Sequence, residues 1–312
     1  MAFLTEPEPA RGVAIDVLPG IRRVVSRNPG VMTYHGTNTY LLDREDGITV
    51  IDPGPADERH VQEVVNAAGG KPIIRIVVTH AHRDHHGAVA ALQQATGAPS
   101  WGYARSGTPH EFTADHGLDD GAQVAGLEAI HTPGHAVDHL SFAYSVPGVG
   151  RILFSGDHVM AWSSSIVNPP LGDMRAYYQS LTLVLERDDA IYLPGHGPME
   201  RNPKPLVRAL LAHRQMREAA ILKSLNGGAR SVADIATQLY GKTNEHLQIA
   251  AERNVLAHLL KLRQEGRVTE LGDEPSIPSS MPSGENIGDK ESQLVAYHAM
   301  ARRDAVREFR KA

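Results

Sequence analysis

The stretch THAHRDHHGA, residues 79–88, gathers His80, His82, His85 and His86 around one carboxylate, Asp84. Histidine is the commonest metal-ligating side chain, and imidazole beside carboxylate suits zinc, iron or manganese in a mixed nitrogen and oxygen site. In a chain of 312 residues with 17 histidines, an H-x-H-x-D-H spelling arises by chance on the order of once in 300 such proteins. The string is therefore read as a metal motif. It follows the apolar run IIRIVVTH, residues 73–80, so its side chains leave a loop at a strand end, where a rigid scaffold usually presents reactive groups.

Composition narrows the chemistry. The hydrophobic content of 41% supports a sizeable core, and the length favours two domains. The chain has no cysteine, which excludes disulfides, thiolate catalysis and Cys-based zinc or iron–sulfur sites, so any metal is held by His, Asp or Glu. The opening MAFLTEPEPARG lacks the basic start and apolar run of a signal peptide. No stretch approaches the roughly 20 apolar residues that cross a bilayer, so a cytoplasmic location without a membrane partner is expected. The net charge of -5 hides a split. Residues 1–200 carry 13 Lys and Arg against 23 Asp and Glu, whereas residues 201–312 carry 18 against 13, which suggests two modules with different partners.

Runs rich in β-branched residues, VAIDV, NTYLLD, GITVID, IIRIVVTH, HLSFAYSV and RILFSGD, read as strands. Helical spacing appears between them in ADERHVQEVVNAAG, in residues 87–96 and in DMRAYYQSLTLVLERDD, the last with Asp173 as N-cap. An α/β (α+β) domain is expected over residues 1–203. Amphipathic helices then dominate: PLVRALLAHRQMREAAILKSL, SVADIATQLYG with Ser231 as N-cap, and EHLQIAAERNVLAHLLKLRQEG, followed by a short RVTELG. This is the layout of a winged-helix domain, expected over 204–271. Residues 272–290, rich in Pro, Ser and Gly, are expected to be a linker, and 291–312 a last charged helix.

Three more punctuated strings follow predicted strands: HTPGHAVDH with His135, FSGDHVM with Asp157 and LPGHGPM with His196. Together with Asp52 after an early strand and the H-x-H-x-D-H string, these five motifs strongly resemble those of the metallo-β-lactamase superfamily over residues of about 12–200. The resemblance implies an αββα sandwich with a dinuclear site at its edge. It further implies that His80, His82 and His135 hold one divalent ion, that Asp84, His85 and His196 hold the other, and that Asp157 bridges them. The two ions, expected to be zinc with iron or manganese as alternatives, would share a hydroxide that attacks the substrate. Asp84 would orient it and take its proton, while Asp52 would hydrogen-bond a ligand imidazole. His86, His110, His116, His139 and His158 are expected to be surface or packing residues.

A bridging Asp in place of the Cys of the commonest lactamases points, within that superfamily, to ester, thioester, lactone or phosphodiester cleavage. Only 38 residues separate Asp157 from His196, too few for the inserted domain of the processive nucleases. The stretches NPGVMTYHGTNTYLL, GDMRAYYQSL and LAHRQMREAAIL are similar to the lactamase-beta-like protein 2 branch, extending the resemblance to about residue 271. Some members of that branch resemble single-strand endoribonucleases. Expected partners are thus a small-molecule substrate or single-stranded RNA, and a homo-oligomer is compatible. In HLLKLRQEGR, His258, Lys261, Arg263 and Arg267 are candidates for contacting phosphates, against a solvated helix face. Trp162, Ser165 and Asn168, in the loop after Asp157, are candidates to line the substrate pocket. The rival from another class is a nucleic-acid-binding or regulatory winged-helix protein with a vestigial metal site. Removing residues beyond about 203 is expected to leave metal bound and to alter substrate preference.

Overall fold

The computed structural model describes residues 3–104, 112–242, 245–271 and 290–312. The expected linker, but for its last residue, and His110 lie outside these described residues.

Strands β1 (Ile15–Leu18), β2 (Ile21–Val25), β3 (Asn38–Arg44), β4 (Gly47–Ile51), β5 (Ile73–Val77), β6 (Ser100–Tyr103) and β7 (His116–Leu118) form one sheet in that order. The meander β1 to β4 is antiparallel, and β4 to β7 run parallel. A second sheet is built from β8 (Gln123–Val124), β9 (Leu127–His131), β10 (Leu140–Val146), β11 (Gly150–Gly156) and β12 (Ile191–Pro194). The two sheets face each other because their strands bury both surfaces. In β3, Tyr40 and Leu42 point into the core between the sheets while Leu41 points to the outer layer, and in β11 Ile152 and Phe154 point inward and Leu153 outward.

Helices cover the outer faces. On the first sheet, α1 (Glu58–Ala67) and α3 (Val89–Thr96) set Val61, Val64, Val89 and Leu92 against Leu41, Ile48 and Val50, and the short α2 (Arg83–His86) lies between the two helices in sequence. On the second, α4 (Met174–Glu186) and the first turns of α5 (Pro203–Ser224) set Tyr177, Leu181, Leu206 and Leu210 against Leu153 and Tyr192. Each such side chain, fully buried, contributes about 1.5–3 kcal/mol. The expected αββα sandwich is thus formed, and two caps read in the sequence are present, Asp173 at the start of α4 and Ser231 beyond the sandwich. Asp173 accepts from the backbone N–H of Ala176 and Ser231 from that of Asp234, as their positions in the sequence predict.

Beyond the sandwich, α6 (Val232–Tyr240) and α7 (Glu245–Gln264) pack with the end of α5 around Ile221, Ile235, Val255, Leu259 and Phe309. Helix α5 therefore serves both cores and straddles the boundary expected near residue 203. A three-stranded sheet of β13 (Arg230–Ser231), β14 (Val268–Leu271) and β15 (Glu308–Lys311) closes this unit, with β15 in the middle.

One expectation needs correction. The last charged segment is helical only over α8 (Lys290–Ala305) and ends in β15, because Phe309 is buried in the helical core while its backbone pairs with β13 and β14. Strand β2 escaped recognition because its sequence, IRRVV, carries two arginines. Arg23 is buried nonetheless, its guanidinium held by Glu6 and by the carbonyl of Gly197. No helix among the described residues is long and apolar enough to cross a membrane.

Candidate metal centre

The seven positions read as ligands converge at one edge of the sandwich, each delivered by the loop after a strand or, for Asp84 and His85, by α2. His80 and His82 follow β5, His135 sits between β9 and β10, Asp157 follows β11 and His196 follows β12. Two glycines make the approach of these loops possible. A Cβ on Gly195 would lie 2.6 Å from Asp157 Oδ1 and 2.7 Å from His85 Cε1. A Cβ on Gly134, whose φ is +142°, would lie 2.4 Å from the Tyr177 backbone, so only glycine lets the His135 turn rest on α4. The His196 loop is fastened by Asn38, whose side-chain amide donates to the carbonyls of Pro194 and Gly197 at 2.9 Å each.

Three nitrogens form the first cluster: His80 Nε2 lies 2.8 Å and His135 Nε2 2.9 Å from His82 Nδ1. The second consists of Asp84, His85 and His196, with His196 Nε2 3.3 Å and His85 Nε2 3.6 Å from Asp84 Oδ2. Asp157 touches both, its Oδ2 lying 3.6 Å from His135 Nε2 and 3.4 Å from His196 Nε2, and its Oδ1 3.5 Å from His85 Nε2.

Hydrogen bonds on the far side of each ring decide which nitrogens offer a lone pair. The Thr79 hydroxyl spends its only proton on Asp52 Oδ2, so its oxygen accepts from His80 Nδ1 at 2.9 Å, which leaves His80 Nε2 as a lone pair. His135 Nδ1 donates to the carbonyl of Ile166 at 2.7 Å, leaving its Nε2 likewise bare when the ring is neutral. Both face a single nitrogen of His82, which carries at most one proton, so at least one lone pair goes unanswered. His85 Nδ1 donates to Asp52 at 2.7 Å, and its Nε2 and Asp157 Oδ1, both buried, have no hydrogen-bond partner. Backbone carbonyls and a carboxylate orienting the rings from behind, with unsatisfied donor atoms converging in front, are the chemistry of a cation site. All three His and carboxylate groups able to hold an ion among the described residues fall in this cluster.

The electrostatics agree. Burial opposes the charged form of His85, yet Asp84, Asp157 and Asp52 outweigh it and raise its pKa well above the ordinary range. His196 is pushed up to about 9, burial being overcome by Asp157 and Asp84. Burial would raise the carboxyls of Asp84 and Asp157, but His85 and His196 hold both well below the usual range. In the other cluster, burial and then neighbouring imidazoles lower His80 well below its ordinary value and His82 to about 3. One half of the site thus demands positive charge, and in the other His80 and His82 are held neutral, ready to bind a cation.

Asp52 is held in a left-handed backbone conformation, φ 50°, by the Thr79 N–H and hydroxyl, and it aims its carboxylate at His85. His139, read as a bystander, is fully buried, and its Nε2 accepts the backbone N–H of Asp157 at 3.1 Å. Nothing in its spelling distinguishes it from its neighbours. His86 stacks on Phe112, His116 on Trp101, and His158 is buried edge-on to Tyr177.

A cavity of about 320 Å³ opens over the cluster, touching His82, Asp84, His135, Asp157 and His196. Trp162 and Asn168 line it. Ser165 is corrected: it is buried, and its hydroxyl turns away to donate to the carbonyl of His158 at 2.9 Å. Most of the wall is apolar, from Val31, Met32, Met160, Ile166, Leu171 and Met300, and no Lys or Arg lines it among the described residues. The four residues considered for phosphate contact lie elsewhere. His258 is fully buried, Lys261 and Arg267 pair with Glu218, and Arg263 pairs with Glu270.

Residues 32–196 match the family model described as metallo-beta-lactamase superfamily, and residues 231–276 match that of the beta-lactamase associated winged helix domain. A beta-lactamase-like protein 2 homolog of Drosophila melanogaster is 30% identical over 276 residues, covering 81% of this chain and 91% of that protein. An atrochrysone carboxyl ACP thioesterase of Passalora fulva is 29% identical over 262 residues, covering 80% of this chain and 77% of the other. Among solved structures, a beta-lactamase domain protein from Burkholderia ambifaria superposes with a TM-score of 0.75 at 22% identity, covering 97% of this chain and 95% of that one.

Proposed function

The chain belongs to the metallo-β-lactamase superfamily of metal-dependent hydrolases, and from that premise we propose that it is a dinuclear enzyme hydrolysing the carbonyl of an ester or thioester with an apolar acyl group. The observation that carries this reading is the set of imidazoles whose far nitrogens are held by Thr79, Asp52 and the Ile166 carbonyl, so that their near nitrogens converge beside Asp84 and Asp157. His80, His82 and His135 would hold one divalent cation and Asp84, His85 and His196 the other, with Asp157 reaching both. Zinc is the first choice for such a His and carboxylate set, with iron or manganese as the alternatives. When bound, such cations supply Lewis acidity, bringing the ionisation of a water near neutral pH and polarising the substrate's oxygen.

The protein's own groups do the rest. Asp84 borders the cavity, where its carboxylate is placed to orient the attacking water and is the proposed acceptor of its proton. The apolar wall suits an acyl chain, and the absence of Lys and Arg from it among the described residues favours an acyl substrate over an RNA strand with its succession of phosphates. The thioesterase among the relatives supports the same substrate class.

Metal analysis by mass spectrometry on protein purified without chelators, followed by side-by-side assays, tests the reading. The panel comprises acyl thioesters, p-nitrophenyl esters, a lactone, bis-nitrophenyl phosphate and single-stranded RNA. Two divalent ions per chain and thioester or ester turnover that a chelator abolishes and zinc restores are expected. Preferential cleavage of RNA would move the substrate to phosphodiesters. A chain that takes up no metal and turns over nothing would return the protein to the class of winged-helix binders.

A further inference from the structure

The cavity is not built by the sandwich alone. Met300, on α8, lines it together with Trp162, Ile166, Asn168 and Leu171 of the loop after β11. That loop is gripped by two buried arginines from the helices that follow. Arg214 of α5 donates to the carbonyl of Ser165 and, at 3.1 Å, to Asn254 Oδ1. Arg253 of α7 is 1% exposed; its Nε donates to Asn168 Oδ1 at 2.5 Å and its NH1 pairs with Asp304 of α8. Between the two gripped residues lies the Ile166 carbonyl that orients His135.

Burying an ion pair such as Arg253 with Asp304 brings little net stability, because removing two charges from water costs about as much as their attraction returns. Arg253 even keeps one buried nitrogen, NH2, without a hydrogen-bond partner. What the pair does provide is geometry: a planar guanidinium that fixes Asn168 on one side and α8 on the other.

We propose that α8 is a specificity element of this active site: Met300 forms part of the wall that meets the substrate's acyl chain, and Asp304, acting through Arg253 and Asn168, positions the loop that forms the rest. Met300 is then a specificity-determining residue, and Arg253 and Asp304 are positioning residues. The inference rests on the acyl-hydrolase reading above and adds to it where chain length is read.

The test uses the full chain loaded with zinc and a series of N-acetylcysteamine thioesters carrying acetyl, hexanoyl and decanoyl groups. Met300→Trp, which fills the cavity, is expected to lower kcat/KM for decanoyl relative to acetyl about tenfold or more, and Met300→Ala to shift the ratio the other way. Asp304→Ala, which releases Arg253, is expected to raise KM for hexanoyl more than it lowers kcat and to flatten the chain-length preference. Asp304→Asn keeps an acceptor for Arg253 and should restore it. A merely structural role for Asp304 would not produce that split or that rescue. Calorimetric titration with the corresponding non-hydrolysable S-alkyl thioethers gives a reading independent of turnover, with decyl binding weakened about tenfold by Met300→Trp. Chain-length ratios and thioether affinities within twofold of the parent in both Met300 variants and in Asp304→Ala would overturn the proposal. Thioether affinities that respond as expected in a protein without thioesterase activity would instead overturn the acyl-hydrolase reading and leave the wall assigned.

Discussion

His85 Nδ1 donates to Asp52 Oδ2 at 2.7 Å, and Asp52 in turn is held by both the backbone N–H and the hydroxyl of Thr79. One carboxylate therefore fixes His85 directly and His80 through Thr79, tying the two clusters of the site to a common support.

From this arrangement Asp52→Asn is expected to weaken metal affinity about 10–100-fold while leaving all seven proposed ligands in place. Competition against a fluorescent chelator measures it. An unchanged affinity would mean that Asp52 only shapes its turn.

Asp84→Asn removes the charge that is proposed both to hold a cation and to take up a proton, and His82→Ala removes the nitrogen on which His80 and His135 converge. Each is expected to lower kcat by about a hundredfold or more, since general base catalysis alone contributes 10²–10⁴-fold. Each should also reduce the metal content of the purified protein. Wild-type turnover in either variant would end the mechanism.

Gly195→Ala places a methyl group within 2.6 Å of Asp157 Oδ1 and 2.7 Å of His85 Cε1, although the Gly195 backbone itself is not left-handed. Overpacking of this kind costs about 1–3 kcal/mol. Because the crowded atoms are proposed metal donors, the loss should be seen as weaker metal binding as well as a lower Tm. A variant that binds metal as the parent does would show that the β12 loop can retreat.

Glu218 links α5 to α7, with Lys261 Nζ at 2.7 Å and Arg267 NH1 at 2.8 Å. Burial would raise its carboxyl, but His258, Lys261 and Arg267 outweigh this and hold it down to about 2, against an ordinary 4.5. A depressed folded-state pKa contributes stability that is complete above pH 4.5 and is lost as the pH falls towards 2. Glu218→Gln is expected to cost about 1–3 kcal/mol at neutral pH, less than for a fully buried pair because Arg267 reaches solvent. The Tm gap between parent and variant, followed by circular dichroism, should close on acidification. A gap independent of pH would remove the ion-pair explanation.

The seven proposed metal donors could be read from the chain because each sits in a short polar string, punctuated by Gly or Pro, that follows the end of an apolar run, and that punctuation is local. The direction of Ser165 could not be read, since it is set by the carbonyl of His158, a neighbour only after the loop has folded. Arg214, Arg253 and Met300 were hidden for a stronger reason: they are ordinary helix residues whose contact with the site comes from the docking of α5, α7 and α8. That docking also revises the expected effect of a cut near residue 203. Such a cut removes the hold on Ser165 and Asn168, on either side of the carbonyl that orients His135, so metal binding should weaken with it. The strand β15 was missed because EFRK offers one apolar residue and three charges, a pattern that continues a charged helix as readily as it forms an edge.

Strands β13 and β14 meet only β15, never each other. No partial version of their sheet can therefore form while the chain is being made. As synthesis proceeds, residues 230–231 and 268–271 emerge with their hydrogen-bonding edges bare, and the hydrophobic seat of Phe309 stays open until residue 311 has left the ribosome. In the interval between those events a nascent molecule of this protein leaves strand edges open to wrong partners, which a chaperone would shield.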